Sequence, residues 1–169
     1  MKLSEGDILK IYKANRDVLY RTCYLYMGNE EDAADAVQNT LVKLMERTEP
    51  FEDDHHARNW LLKVAVNECR KTLSHWWRKK RAADIEDFDE FPYNGENLIS
   101  RGEILDAVMH LPKNSRIAIY LYYFEGCSTM KIAEILGRNT VTVRSDLARG
   151  RKKLKLDLEA EGERRGEAR

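Results

Sequence analysis

The chain of 169 residues contains only three prolines and three cysteines, and it lacks any long uncharged apolar run. The scarcity of proline and of alternating apolar and polar residues leaves little room for β-sheet. Cys23, Cys69 and Cys127 are odd in number, widely separated and without a C-x-x-C pair, which argues against a disulfide framework and a zinc finger. We therefore expect an all-α protein that works in a reducing compartment.

Signals for export and membrane insertion are also missing from the sequence. No stretch has the apolar core of a signal peptide or approaches the roughly 20 apolar residues of a transmembrane helix, so we expect a cytoplasmic protein without membrane insertion. The adjacent His55 and His56 lack the spacing of metal ligands on one helix face, and we expect no cofactor. Because 29 basic residues balance 29 acidic ones, any affinity for nucleic acid must come from segregated charge.

Residues 128–155 show the clearest charge segregation. Their pattern predicts a helix, a tight turn at Gly137 and a second helix, with Asp146 as the only acid of the second helix before Asp157. This is the arrangement of a helix-turn-helix whose second helix enters a DNA major groove. The apolar residues expected to pack the two helices together are Ile132, Ile135, Leu136, Val141, Val143, Leu147 and Leu154. The basic residues of the second helix are Arg144, Arg149, Arg151, Lys152, Lys153 and Lys155.

Two helices are predicted in the first 47 residues. The first runs from about Glu5 to Met27 and closes at Gly28, and the second is capped by Asn29 and runs to Arg47. The second helix is expected to turn its apolar stripe, which includes Met45, towards a core. Its opposite face is polar and free to meet a partner, and it carries Asp35, Gln38, Asn39 and Lys43.

A loop with Pro50 and Phe51 precedes a third helix, which is expected to start near Ala57 and to bury Trp60 and Leu61. The far end of this helix combines aromatic and basic side chains, an arrangement suited to stacking on unpaired bases while cations follow the phosphates. The alternative is that one tryptophan fills the core and the cations are merely solvated. The residues of this cluster are Arg70, Lys71, Trp76, Trp77, Arg78 and Lys79.

The composition reverses after Arg81. Residues 82–102 hold six acids and several helix breakers, which predicts an acidic flexible linker between two small helical domains at residues 1–81 and 103–158. The segment RIAIYLYYFEG of the second domain is apolar nearly all round, so we predict one buried helix. The charged tail at residues 159–169 is expected to fray.

Three stretches are typical of one family when they occur in this order: EEDAADAVQNTLVKLM, then Phe51 ahead of NWLLKVAVN, and finally LPKNSRIAIYLYYFEGCSTMKIAEILG followed by TVRSDLARGRKKL. Over about Ile8 to Leu156 the chain resembles a bacterial RNA polymerase sigma factor of the extracytoplasmic-function (ECF) type, with regions 2 and 4 of the sigma-70 superfamily. The resemblance implies promoter-specific initiation through minus-thirty-five and minus-ten elements, with promoter melting. The implied partners are promoter DNA, core RNA polymerase (its clamp helices and beta flap) and an anti-sigma factor.

The resemblance also implies roles for single residues. Asp35, Gln38, Asn39 and Lys43 would dock on the clamp helices of the largest polymerase subunit. Asn67 and Phe51 would hold a base flipped from the nontemplate strand of the minus-ten element, with the aromatic and basic cluster nearby. The minus-thirty-five element would be contacted by Thr142, Arg144, Ser145, Asp146, Arg149, Lys152 and Lys153.

Three departures from the family pattern lie in the second helix of the motif. Asp146 stands where many relatives carry a basic residue, and we expect it to accept a hydrogen bond from cytosine. Gly150 is expected to cost roughly 1 kcal/mol relative to alanine, so that the basic end would be ordered only on DNA. The usual Pro-x-Gly is replaced by Asn139, Thr140 and Val141, where Asn139 or Thr140 can cap the helix.

Two rival functions remain at this point. A stand-alone helix-turn-helix regulator would bind duplex DNA without polymerase and would have no need of Asn67, Phe51 and the tryptophan pair. A nucleic-acid enzyme would need convergent carboxylates or a nucleophile with its base. The acids of this chain fall instead in the linker, at helix starts and on exposed faces, which disfavours an enzyme.

Overall fold

The computed structural model describes the backbone of residues 2–82 and 103–167, and the side chains of residues 2–79 and 106–155. The regular elements within these ranges are all helical, which confirms the predicted all-α class. The chain divides into two compact units, Met1–Pro92 (unit 1) and Tyr93–Arg169 (unit 2). Residues 83–102 of the predicted linker lie outside the described residues. No described helix is both long and apolar enough to cross a membrane.

Unit 1 is built from helices α1 (Glu5–Met27), α2 (Glu30–Glu46) and α3 (Asp54–Ala82), which pack against one another. The Ser4 hydroxyl accepts from the Asp7 backbone while the Asp7 carboxylate accepts from the Ser4 backbone, which forms a capping box on α1. Gly28 ends α1 in a left-handed conformation (φ 78°) and Asn29 caps α2. These caps confirm the predicted boundary between the first two helices.

Unit 1 differs from the prediction in three details, one helix start and the burial of two side chains. Helix α3 begins at Asp54, not near Ala57, because the Asp53 carboxylate accepts from the His56 backbone at 2.7 Å. Trp60 is only half-buried. Met45 was predicted to face the core but is 52% exposed. The largest fully buried side chains of unit 1 are Leu19, Tyr24, Leu25, Met27, Leu44, Leu61 and Leu62.

Unit 2 contains α4 (Glu103–Met109), α5 (Lys113–Ile119), a π-helical segment (Tyr120–Phe124), α6 (Thr129–Leu136) and α7 (Thr140–Glu167). The prediction of one buried helix over RIAIYLYYFEG was wrong. The α-helix gives way at Tyr120 to the wider π-turn, which leaves Tyr122, Tyr123 and Phe124 between 39% and 54% exposed. The predicted fraying tail was also wrong, since α7 continues through Glu167. The Glu, Arg and Ala residues of the tail favour helix enough to outweigh Gly162 and Gly166.

Gly150 of α7 packs directly against α5. It is buried, and a Cβ atom added to it would lie 2.7 Å from Cγ1 of Ile119 and 3.4 Å from Cβ of Ser115. The missing side chain therefore lets the two helix backbones pack more tightly than any other residue would allow. The expectation that Gly150 merely weakens α7 is corrected, because the helix runs unbroken past it and uses it for packing.

Candidate nucleic-acid and polymerase interfaces

A groove of about 460 Å³ runs along one face of α3 and is bounded on one side by Lys43 of α2. Residues 64, 67, 71, 74 and 78 recur at helical spacing, which places their side chains on the same face. The groove brings together four residues that the sequence assigned to melted DNA. Its full lining is Lys43, Val64, Asn67, Glu68, Arg70, Lys71, Ser74 and Arg78.

Glu68 organises the cations of this groove. Its side chain is 9% exposed, and its carboxylate lies 3.3 Å from Nζ of Lys71 and 3.7 Å from Nζ of Lys43. A carboxylate this buried needs such partners, because desolvation without them is costly. Glu68 therefore ties α3 to α2 and holds two ammonium groups at the groove. Sequence reasoning missed it, although an acid flanked by basic residues on an otherwise basic helix was a usable signal.

The groove presents an exposed amide between its cations. Asn67 is exposed, and Arg70 is half-buried with its Nε donating to the hydroxyl of Tyr26 at 3.3 Å. An Asn amide offers both a donor and an acceptor to a base edge, while fixed cations attract phosphate. The chemistry of the groove thus suits an unpaired nucleotide.

The two tryptophans do not form one platform beside the groove, because they point in different directions. Successive residues of an α-helix are rotated by about 100°, so Trp76 points about 180° away from Asn67. Trp76 is 40% exposed and Trp77 is half-buried. Of the predicted minus-ten cluster, Arg78 lines the groove and Lys79 is exposed on another face. Trp76 therefore faces away from the groove, whereas Trp77 lies only about 20° around the helix from Arg70, at the edge of the groove.

Phe51 lies in a small cluster beside the start of α3. The guanidinium carbon of Arg47 is 4.3 Å from the ring centre of Phe51 and 4.9 Å from that of Trp60. The Phe51 ring also meets His56 edge-on, with ring centres 5.4 Å apart. Cation–π contacts of this kind contribute about 0.5–2 kcal/mol, so Arg47 fixes the loop that carries Phe51. The role of Arg47 depends on residues four and thirteen positions away and had no sequence signal.

The outward face of α2 carries the residues predicted to meet polymerase. Asp35, Gln38 and Asn39 are exposed, and Lys43 turns towards Glu68 at the edge of the groove. Val42 lies among them and is 48% exposed. The face therefore combines polar groups with an apolar centre, which is the usual composition of a protein–protein contact surface.

The helix-turn-helix of unit 2 forms as predicted from α6 and α7. Ser128 caps α6, Gly137 makes the turn with φ 63°, and the Asn139 carboxamide accepts from the Thr142 backbone at 2.8 Å to cap α7. Val143 and Leu147 are buried against the rest of the unit, but Val141 is 68% exposed, contrary to its predicted packing role. The basic residues of α7 that are exposed are Arg144, Arg149, Arg151, Lys152, Lys153 and Lys155.

Asp146 does not lie on the exposed face of α7. It is 3% exposed, and its carboxylate accepts from Nη1 of Arg138 at 2.6 Å. The expected hydrogen bond from cytosine to the Asp146 carboxylate is therefore corrected, because the side chain would have to leave the interior and lose its ion pair with Arg138. Asp146 instead secures the turn between α6 and α7. Ser145 is half-buried, and Thr142 is held by Asn139.

The cysteines take no part in these surfaces. All three are buried, and none of them forms a disulfide bond. A hydrogen bond with Cys23, followed by burial, raises the pKa of the Cys69 thiol well above its ordinary value. A thiol held neutral in this way is a poor nucleophile and metal ligand, so Cys23 and Cys69 act as core residues between α1 and α3.

Comparison with known proteins matches a different family model to each of two parts of the chain. Residues 11–82 match the family described as sigma-70 region 2, and residues 101–154 match sigma-70, region 4. The ECF RNA polymerase sigma-E factor of Haemophilus influenzae is 31% identical over 138 residues, covering 73% of this chain and 72% of the relative. The sigma factor SigV of Bacillus subtilis is 29% identical over 142 residues, covering 84% and 85%.

A solved structure has the same fold. It is the sigma factor RpoE of Bartonella quintana in complex with the anti-sigma factor NepR, with a TM-score of 0.68, 24% identity, and coverage of 92% of this chain and 96% of that one. The chain belongs to the sigma-70 family and is a sigma factor of the extracytoplasmic-function type, the class that directs promoter-specific transcription initiation.

Proposed function

We propose that unit 1 binds core RNA polymerase and the melted minus-ten strand, while unit 2 reads the duplex minus-thirty-five element. The observation that carries this assignment is the presence of two chemically different nucleic-acid surfaces. Unit 1 has a groove with an exposed amide among cations, and unit 2 has a helix-turn-helix with a basic outer face. A regulator of duplex DNA alone would use only the second surface.

In unit 1, Asn67 recognises a base that has left the stack. Unpairing a base costs a few kcal/mol, which a fitted site must offset. Arg70, Lys71 and Arg78 border the same groove and can follow the phosphates on both sides of that base. Phe51, fixed by Arg47, offers an aromatic edge to a second base, and Trp76, Trp77 and Lys79 engage strand or duplex beyond the groove.

The outward face of α2 is the polymerase contact of unit 1. Asp35, Gln38 and Asn39 supply hydrogen bonds around the apolar Val42 and Met45, and Lys43 joins this face to the groove. Docking on the clamp helices would therefore place the groove beside the polymerase, where the strands separate. Polymerase binding and strand capture are thus adjacent on one small unit. The flap of the beta subunit is the corresponding partner of unit 2.

In unit 2, Arg144, Ser145 and Arg149 face the major groove, where arginine pairs with guanine through two hydrogen bonds. Thr142 lies at the start of the same helix, where its backbone N–H donates to the Asn139 carboxamide. Lys152 and Lys153 add mainly phosphate affinity and salt dependence. Asp146 shapes the reading helix through Arg138 and does not read a base itself.

We further propose an anti-sigma partner and a cytoplasmic location. Two structures that share this fold are complexes with a second protein: one holds the sigma factor RpoE with the anti-sigma factor NepR, and the other holds CnrH with the cytosolic domain of CnrY. The exposed apolar residues on α2 and on the π-helical segment are surfaces that such a partner can cover. The role is non-catalytic, because the polymerase forms the phosphodiester bonds.

Transcription by core polymerase on a randomised promoter library tests this function. We expect the purified chain to yield one enriched promoter motif, and no enrichment would contradict the proposal. Asn67→Ala should slow promoter opening while leaving core affinity unchanged. Arg149→Ala should relax minus-thirty-five selection while leaving a premelted minus-ten fragment bound. An equal loss of core affinity in both variants would contradict the division of labour between the units.

A further inference from the structure

Val141 is an unusual residue for the face that it occupies. Among the described side chains of α7, residues 140–155, it is the one large apolar side chain that is highly exposed, at 68%. Because residues along a helix are rotated by about 100° each, Ser145 lies about 40° and Ala148 about 20° from Val141. Gly150, which packs on α5, lies about 180° away. Val141 is therefore at the centre of the outer face of α7.

The position of Val141 along α7 is as informative as its direction. It is the second residue of the helix, directly after the turn, and the first residues of a reading helix reach deepest into the major groove. The neighbouring Arg144 is exposed and Ser145 is half-buried on the same side. The polar readers therefore flank Val141, and the cations near Lys152 follow along the phosphates.

An aliphatic side chain can read one feature of the major groove. It cannot form hydrogen bonds, but the C5-methyl group of thymine projects into the groove and is recognised by apolar contact. Cytosine has no methyl group there, and adenine and guanine present only polar edges. The positive charge around Val141 selects DNA as the occupant of this face. A protein partner would leave those cations without counter-charge unless it was acidic.

We propose that Val141 is a specificity-determining residue that contacts the C5-methyl group of a thymine in the minus-thirty-five element. This inference rests on the proposed function of unit 2. It extends that function from hydrogen-bonding readers to an apolar one. The chain should therefore require thymine at one defined position, on either strand, close to the bases read by Arg144.

The test uses a matched pair of variants, Val141→Thr and Val141→Ser. Threonine keeps a γ-methyl group that serine lacks, and both are small enough for the same exposed site. Full-length protein with core polymerase selects promoters from a randomised library. Wild type and Val141→Thr should both enrich thymine at the same minus-thirty-five position. Val141→Ser should lose that one preference while keeping the rest of the motif.

A second arm removes the methyl group from the DNA. Replacing the enriched thymine by deoxyuridine should weaken wild-type promoter binding about fourfold, the effect of losing one buried methyl-sized contact. The same replacement should leave Val141→Ser binding unchanged. Lys152→Ala is the control, because loss of a phosphate contact should weaken binding to both promoters equally and lower the salt dependence.

The outcomes separate this inference from the function on which it rests. A wild-type motif that survives intact in Val141→Ser, or a wild-type protein indifferent to deoxyuridine at every upstream position, overturns the role of Val141. Either result would leave the sigma activity standing. A wild-type protein that enriches no promoter with core polymerase contradicts the proposed function itself.

Discussion

Replacing Gly150 by alanine sets helix propensity against packing. Alanine is favoured over glycine inside a helix by about 1 kcal/mol, and an exposed site would show that gain as added stability. Gly150, however, is buried where α7 crosses α5. The two effects have opposite signs, so the direction of the change in stability shows which of them is larger.

The geometry indicates that packing wins. The new Cβ would lie 2.7 Å from Cγ1 and 3.2 Å from Cδ1 of Ile119, well inside van der Waals contact. Ile119 is 1% exposed, and Cγ1 is next to its backbone, so the side chain cannot swing away. Overpacking of this kind typically costs about 1–3 kcal/mol. After the propensity gain is subtracted, we expect unit 2 to lose about 1 kcal/mol.

The tryptophans make the two units separable in a denaturant titration. Trp60, Trp76 and Trp77 are the only tryptophans of the chain and all belong to unit 1. Tryptophan fluorescence therefore reports unit 1, while hydrogen exchange measured by mass spectrometry follows peptides of unit 2. Gly150→Ala should accelerate exchange in α5 and α7 and leave the fluorescence midpoint unchanged.

Gly6→Ala is the matched control. Gly6 lies in α1, and a Cβ atom there would meet nothing closer than the Ser4 hydroxyl at 3.8 Å. This variant should stabilise unit 1 by a few tenths of a kcal/mol up to about 1 kcal/mol. Combining Gly150→Ala with Ile119→Ala should make the glycine substitution less harmful than it is alone. Slower exchange in Gly150→Ala would refute the packing argument.

Two further predictions concern stability. Ser4→Ala removes the cap of α1 and should cost about 1 kcal/mol near neutral pH. Because the Ser4 hydrogen bonds hold the pKa of Asp7 below its ordinary value, the advantage of wild type should be full above the unfolded-state pKa. The stability difference between wild type and Ser4→Ala should fall as the pH drops through the folded-state pKa of Asp7. Denaturation midpoints followed by tryptophan fluorescence at several acid pH values measure this difference. A difference that grew in acid would contradict the role of the capping box. Asp146→Ala leaves Arg138 without its carboxylate and should destabilise unit 2 by about 3 kcal/mol; unchanged hydrogen exchange in α6 and α7 would contradict the ion pair's role.

Local signals in the sequence were sufficient for most of the fold. Ser, Asn and Gly at helix ends act through hydrogen bonds and backbone angles within a few residues, so Gly28, Asn29 and Gly137 marked real boundaries. The π-helical segment had no such signal. Tyr120–Phe124 is as apolar as a buried helix, and only the packing of unit 2 decides which of its rings reach solvent.

Spacing would have corrected the reading of α7. Val143, Asp146, Leu147, Gly150 and Leu154 recur at intervals of three and four, which is the period of one helix face. All but the half-buried Leu154 are buried. The charge of Asp146 suggested an exposed base contact, and the missing side chain of Gly150 suggested a weak point in the helix. Their spacing nevertheless places both residues on the buried face. The partner of Asp146 could not be foreseen, because Arg138 reaches it only through the turn at Gly137.

The burial of Asp146 also changes the electrostatics of the recognition helix. An exposed acid among the readers would repel phosphate and subtract from the basic surface. Here the one acid in the described side chains of α7 is paired with Arg138 inside the unit, and the six cations from Arg144 to Lys155 remain exposed. Between Thr140 and Lys155 the outer face therefore carries cations and no exposed acid, although the chain as a whole is neutral. A zero net charge is thus compatible with DNA binding because Asp146, the one acid among the described side chains of α7, is kept off the surface proposed to meet the phosphates.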